Sequence, residues 1–196
     1  MNPDASKITW QRVINNSKIK PKPRFSHRLA LDLSAYQNQT VRLAFYHVVD
    51  GSLQSAGGFL DDISVITLMP TETPPGSWGF EGVTESDCWG DWVADRGVWQ
   101  INQTPDAWCH GGDRCFGTDA ADSYPPNTDS RLISPPIALP ALSVGEAHHL
   151  RYWQWFDYYL GDADTGSVQI QVWDPVNGWP ATWTTISSEV VRDRSD

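Results

Sequence analysis

The sequence predicts an all-β fold, an antiparallel β-sandwich, and three observations predict it. Short runs of alternating apolar and polar residues recur between turns rich in Gly, Pro and Asp. No stretch sustains a helical hydrophobic period. The 196 residues include 11 Trp and are 40% hydrophobic, enough to fill the core between two sheets.

Taken in order, residues 8–14 (I-T-W-Q-R-V-I) read as a first strand, and residues 15–24 as a polar, Pro-punctuated loop. Residues 25–33 hold a short strand with Phe25, His27 and Leu29 on one face. A turn-rich approach leads to Val41–Val49, where Val41, Leu43, Phe45, His47 and Val49 share a face. Gly57–Leu68 closes this half. Segment 69–79 contains three Pro and two Gly, which deny it regular structure. The second half is poorly periodic over 83–130, with short strands expected at Trp89–Val93, Trp99–Ile101 and Cys115–Gly117. Leu150–Leu160 is a long strand with aromatics on both faces, expected to be central and covered on both sides. Ser167–Trp173 alternates, and Trp183–Val190 is a last strand. Most of the tryptophans are expected to build the core.

The formal net charge is −10, unevenly spread: residues 1–68 hold eight Lys/Arg against five Asp/Glu, and residues 69–196 hold six against nineteen. So acidic a surface repels a phosphate backbone, which argues against a nucleic-acid partner. The first thirty residues have no apolar signal core, and no apolar run is long enough to span a bilayer. The three cysteines are Cys88, Cys109 and Cys115. Cys109 and Cys115 flank His110-Gly111-Gly112-Asp113-Arg114, where a small disulfide loop is sterically possible; a zinc site with Cys88 and His110 is the competing arrangement.

Several motifs carry a resemblance. Phe80-Glu81 is followed by a Trp-rich stretch, His110-Gly111-Gly112, the run Asp129–Ile137, the aromatic strand Leu150–Leu160 and the unit Val168–Trp183. At the front of the chain stand Leu33-Ser34-Ala35-Tyr36, Val41–Val49, Asp50-Gly51 and Gly57-Gly58-Phe59-Leu60-Asp61-Asp62-Ile63. Together these resemble the MAM-like jelly-roll β-sandwich domains of bacterial surface proteins and immune-inhibitor-type secreted metallopeptidases. The resemblance covers roughly residues 25–68 and 80–190. It departs from the family in order, since the closing motifs precede the opening ones. The resemblance therefore implies a circularly permuted jelly roll, one sandwich over 8–190 assembled from segments 8–68 and 80–190 and joined by the connection 69–79. A piece of a tandem array and a homodimer that exchanges halves are the other arrangements. Residues 181–186 (A-T-W-T-T-I) also resemble residues 8–13 (I-T-W-Q-R-V).

The resemblance further implies a structural calcium ion where the first and last strands of the family order meet. The matching residues are Glu81, Asp61 and Asp62, with Asp113 and Asp119 as further ligands. Calcium takes several hard oxygens at once, and carboxylates with backbone carbonyls supply them. A second acidic set, Asp157, Asp162 and Asp164, reads as a solvated hairpin turn rather than a calcium loop.

Nothing selects a catalytic constellation. There is no His-Glu-x-x-His and no Gly-x-Ser-x-Gly. His47, His110, His148 and His149 read as structural, and Cys88 has no base beside it. The chain is therefore expected not to be an enzyme. It reads as a binding or adhesion module for carbohydrate or a protein partner, with Trp153, Trp155, Tyr158 and Tyr159 as candidate stacking residues and Trp89, Trp92, Trp108 and Trp179 as alternatives. A structural accessory domain that assists assembly of a larger or dimeric protein is the other reading. The resemblance implies a secreted or cell-surface location.

Overall fold

Alternation that the sequence shows plainly becomes two stacked sheets. The computed structural model describes residues 27–51, 56–68, 76–81, 91–101, 109–112, 114–118, 123–157 and 164–188. The strand expected at 8–14 and the basic segment after it lie outside the described residues. The strands are β1 (His27–Asp32), β2 (Thr40–Val48), β3 (Gly57–Leu68), β4 (Gly76–Trp78), β5 (Val93–Asp95), β6 (Trp99–Ile101), β7 (Phe116–Thr118), β8 (Asp129–Ile133), β9 (Ile137–Ala138), β10 (Ala147–Asp157), β11 (Thr165–Val172) and β12 (Thr184–Ser187).

Sheet A runs β1-β10-β3-β7-β6, with β4 also on β3; sheet B runs β12-β11-β2-β8-β5, with β9 also on β2. All ladders are antiparallel. The chain is thus an all-β, jelly-roll-like sandwich of two antiparallel sheets. Among the described residues, the three strands before residue 69 pair only with strands after residue 75, never with one another. Among the described residues no helix is long and apolar enough to cross a membrane.

The core sits between the sheets. Val41, Leu43 and Phe45 of β2 and Val168 and Ile170 of β11 meet Leu60, Ile63 and Val65 of β3 and Leu150 and Tyr152 of β10. At its centre Trp92, 1% exposed, packs edge-on against Trp78 at 5.4 Å and Phe80 at 5.8 Å, and stacks on Phe45 at 6.3 Å. Truncating so large a buried ring costs about 3–5 kcal/mol.

One irregularity organises sheet A. The ladder between β10 and β3 steps from Arg151↔Ser64 to Trp153↔Asp61, so Asp62 and Ile63 stand opposite Tyr152 alone. This is a β-bulge, and Asp62 takes φ 48°. The extra residue lets Leu60 and Ile63, three apart, both face the core. It leaves Asp61 beside Trp153 on the outer face.

Four expectations need correcting. The end of the Pro-rich connection is not irregular: Gly76, Ser77 and Trp78 pair with Val65, Ser64 and Ile63. Proline removes donors only at 70, 74 and 75, so the residues after it are free to add an edge to β3. Strand β10 is central, but it is not covered on both sides. Leu150, Tyr152, Gln154 and Phe156 are buried, whereas Arg151, Trp153 and Trp155 are half-buried. Among the described residues the tryptophans are not mostly core. Of those described only Trp92 and Trp99 are buried; Trp78 packs against the core, and Trp153, Trp155, Trp173, Trp179 and Trp183 lie outside it. Finally, Asp164 is not a solvated turn residue. It is buried, accepting from the Tyr124 hydroxyl at 2.5 Å and from the Asp50 N–H at 3.0 Å.

Candidate functional site

Two outer surfaces gather chemistry-bearing residues. On sheet A, the Cys109–Cys115 disulfide, with Cα atoms 5.3 Å apart, closes a short loop over Asp61. Asp61 Oδ2 accepts the N–H of His110 and of Gly111, each at 2.8 Å, and Oδ1 accepts the N–H of Asp62 at 2.7 Å. Burial pushes the Asp61 carboxyl up to about 6, against the pull of these backbone donors. His110 Nδ1 lies 2.8 Å from Asp62 Oδ2, and its ring stacks flat on Trp153 at 3.8 Å. Glu81 Oε1 accepts the Arg114 N–H at 3.1 Å from the loop's far side.

The loop can lie this close because Gly111 and Gly112 have no side chains. A Cβ on Gly111 would sit 3.2 Å from Asp62 Oδ2, and one on Gly112, at φ +62°, would overlap the Glu81 carboxylate. Asp61, Asp62 and Glu81 are therefore brought together around one loop. As donors they suit calcium in kind, being hard oxygens held against a side-chain-free loop. Asp61 is the most committed of the three, since both its oxygens already receive N–H groups. Among the described residues no group of three or more His, Cys, Asp or Glu side chains converges as a metal site. Asp113 and Asp119 lie outside the described residues, as does Cys88.

Of the expected stacking residues, Trp153 and Trp155 both stand on the outer face of sheet A, each half-buried. One face of Trp153 is taken by His110, and Trp155 leans on Phe59 at 5.4 Å. Phe59 in turn lies over Gly117, where a Cβ would approach the ring to 2.6 Å. Tyr158, Tyr159, Trp89, Trp108 and Asp162 lie outside the described residues. Two of the other histidines are structural. His148 is buried, with Nδ1 3.0 Å from Thr67 Oγ1 and Nε2 2.9 Å from the Pro140 carbonyl. His47 is buried edge-on to Tyr124 at 5.2 Å, and desolvation pulls its pKa down to about 4.

The outer face of sheet B holds a set of which the sequence reading named only Trp179, as an alternative stacking residue. Arg42 and Tyr46 project from β2, Arg131 from β8 and Gln169 and Gln171 from β11, while Trp173, Trp179 and Trp183 come from the segment around the β11–β12 connection. The Arg131 guanidinium lies over the Tyr46 ring at 4.0 Å and faces Trp183 at 5.9 Å. It also pairs with Asp95 at 3.3 Å and Asp129 at 3.8 Å, and its Nε donates to Gln169 Oε1 at 2.9 Å. Gln171 Nε2 donates to the Pro180 carbonyl at 2.7 Å, pinning the connection to the sheet. Farther along, Arg42 lies over Trp179 at 4.2 Å, and Trp179 meets Trp173 edge-on at 5.2 Å. Trp173 is 43% exposed and lines a hollow of ≈ 420 Å³ with Val172, Asp174, Asn177 and Pro180. Burial, then a hydrogen bond from its hydroxyl to Asp129, raises the Tyr46 pKa above its ordinary value. The signal for these residues was present: the alternation that marks Val41, Leu43 and Phe45 as core marks Arg42 and Tyr46 as outward.

The chain was compared with known protein families, with characterised proteins and with solved structures, and no match was found.

Proposed function

We propose that this protein is a non-catalytic carbohydrate-binding module whose ligand lies across the outer face of sheet B. The observation that carries the reading is the series Tyr46, Trp183, Trp179 and Trp173, four aromatic rings outside the core on one face, with Arg42 and Arg131 between them. Pyranose rings present flat C–H faces that pack on such rings, and their hydroxyls bond to the amide, guanidinium and carboxylate groups alongside. Ion pairs and amide bonds already hold this framework, so little side-chain entropy remains to be lost on binding. The disulfide supports a secreted or surface location, where oxidising conditions preserve such bonds. We read the rotated motif order as a permuted MAM-like domain, a reading supported by β4 lying directly beside β3.

The test is a glycan array followed by calorimetry on the best hit. Trp173→Ala and Trp183→Ala should each weaken binding tenfold or more, while Trp153→Ala leaves it unchanged. Loss with Trp153→Ala and none with the other two would move the site to sheet A.

Calcium is the cofactor we propose beside the disulfide loop, held chiefly by Asp62 and Glu81 with loop carbonyls. Its role is to tie the loop to the bulge of β3. In protein first stripped with chelator, millimolar calcium should raise Tm at pH 7.5. No shift at pH 7.5 removes the metal.

A further inference from the structure

The two arginines on the outer face of sheet B are built alike but partnered differently. Each lies over an aromatic ring, Arg131 over Tyr46 at 4.0 Å and Arg42 over Trp179 at 4.2 Å. Arg131 is neutralised by Asp95 and Asp129, and Arg96 beside it also pairs with Asp129. Arg42 makes no ion pair among the described residues, although it is half-buried and its desolvation disfavours the charge. The fold thus tolerates a partly desolvated guanidinium without a counter-ion, which ordinarily costs stability unless something pairs with it.

The surroundings say what that something is. With its Cζ over Trp179 the Arg42 guanidinium is held at the ring, and no N–H of it is engaged in an ion pair among the described residues, so it can still offer a planar fork to a bidentate carboxylate. The same Trp179 packs edge-on against Trp173, the exposed ring that lines the ≈ 420 Å³ hollow, a size within the range of small-ligand pockets. A sugar ring stacked on Trp173 would therefore lie one aromatic ring away from an unpaired cation. Asp174, which lines the hollow, forms no ion pair with Arg42, and its Oδ1 accepts the Val176 and Asn177 N–H groups of its own turn. The net charge of −10 works against any anionic ligand, so the preference has to come from the Arg42 contact itself.

Resting on the carbohydrate reading above, we propose that the preferred ligand is an acidic glycan, a uronate- or sialate-bearing saccharide whose carboxylate is taken by Arg42 while a ring of the chain stacks on Trp173. The rest of the platform, with Arg131 already satisfied, serves neutral residues of the same chain.

The experiment is an array carrying neutral oligosaccharides beside their uronate- or sialate-bearing counterparts, followed by calorimetry of the best acidic hit and its carboxyl-reduced form. The wild-type protein should bind the acidic form at least tenfold more tightly. Arg42→Gln should abolish that preference, weakening the acidic form at least tenfold more than the reduced form, and Arg42→Lys should restore part of it, having charge but no fork. Equal binding of both forms by the wild type, or a preference that survives Arg42→Gln, overturns the carboxylate assignment and leaves the carbohydrate reading standing. An array blank for neutral and acidic glycans alike overturns both.

Discussion

Asp61 and His47 titrate in opposite senses, and this makes a specific prediction about how stability depends on pH. Burial raises the Asp61 pKa from 3.8 to about 6 and lowers that of His47 from 6.5 to about 4. For Asp61, the stabilisation of its protonated form is complete below 3.8 and lost as pH rises through 6. For His47, the stabilisation of its neutral form is complete above 6.5 and lost as pH falls through 4. Between pH 4.5 and 6 the unfolded chain carries the His47 proton, and the folded chain carries the Asp61 proton instead. The two proton counts are equal, so these groups leave stability nearly flat across this window. Asp61→Asn removes one side of the balance. Stability should then rise with pH by about 2 kcal/mol between pH 4.5 and 6, at close to 1.36 kcal/mol per pH unit where His47 alone is linked. Asp32 and Asp174 are held below the ordinary carboxylate range by hydrogen bonds, so they titrate beneath the window. Asn also gives up one acceptor under the 109–115 loop, but that lowers stability by a constant and leaves the slope untouched. Urea titrations at pH 4.5, 5.25 and 6 measure the slope directly. An Asp61→Asn variant as flat as the wild type would refute the linkage, whatever its absolute stability.

Three further outcomes follow from the fold. Reducing Cys109–Cys115 should cost about 2 kcal/mol, the chain entropy of a seven-residue ring, and should release His110 from Trp153, read as a change in tryptophan fluorescence. Gln154 is 4% exposed and its Nε2 has no partner among the described residues, so Gln154→Leu should stabilise the protein by about 1 kcal/mol in a thermal melt. Because strands before residue 69 pair only with strands after residue 75, the full chain should melt in one transition by circular dichroism and calorimetry alike, and two separated melts would contradict the interleaved sheets.

What could be read from the sequence was the part governed by a period of two. In β2 and β11 both strands stand close to where they were expected and the residues expected to face inward are buried or packed on the core, although Ala44, Gln169 and Gln171 on the other face are buried as well. The reading failed where a single residue or a distant partner decides. The bulge at Asp62 is invisible in Leu60-Asp61-Asp62-Ile63-Ser64, because the inserted residue is revealed only by the register against Arg151 and Trp153. Strand β4 exists because β3 offers it an edge, not because Gly76-Ser77-Trp78 favours extension. At the candidate sites, the likeness of motifs led to Asp61, Asp62 and Glu81, and the structure sets all three around one loop. The aromatic surface was sought on β10, where aromatics are densest. Density along one strand does not report what covers each ring, and His110, forty-three residues earlier in sequence, covers Trp153.

That covering bears on where a ligand can bind. A stacking platform needs ring faces that nothing else occupies. On sheet A those faces are consumed internally: His110 lies parallel to Trp153, Phe59 fills the space over Gly117 and leans on Trp155, and the disulfide holds the His110 loop in place. The polar groups there are consumed as well, with Asp61 receiving three backbone N–H groups. Prising the loop away to admit a sugar would expose a buried carboxylate whose backbone donors have left. On sheet B the contacts work in the other direction. Gln169 and Gln171 lie beneath the surface and hold Arg131 and Pro180, so their bonds position the exposed groups rather than occupy them. Arg131 and Arg42 likewise each cover one face of Tyr46 and Trp179, but Trp173 meets Trp179 only by its edge and stays 43% exposed. Sheet A therefore spends its aromatic and acidic residues on closing itself, and sheet B spends its hydrogen bonds on keeping a surface in position. It is the second arrangement that binding requires.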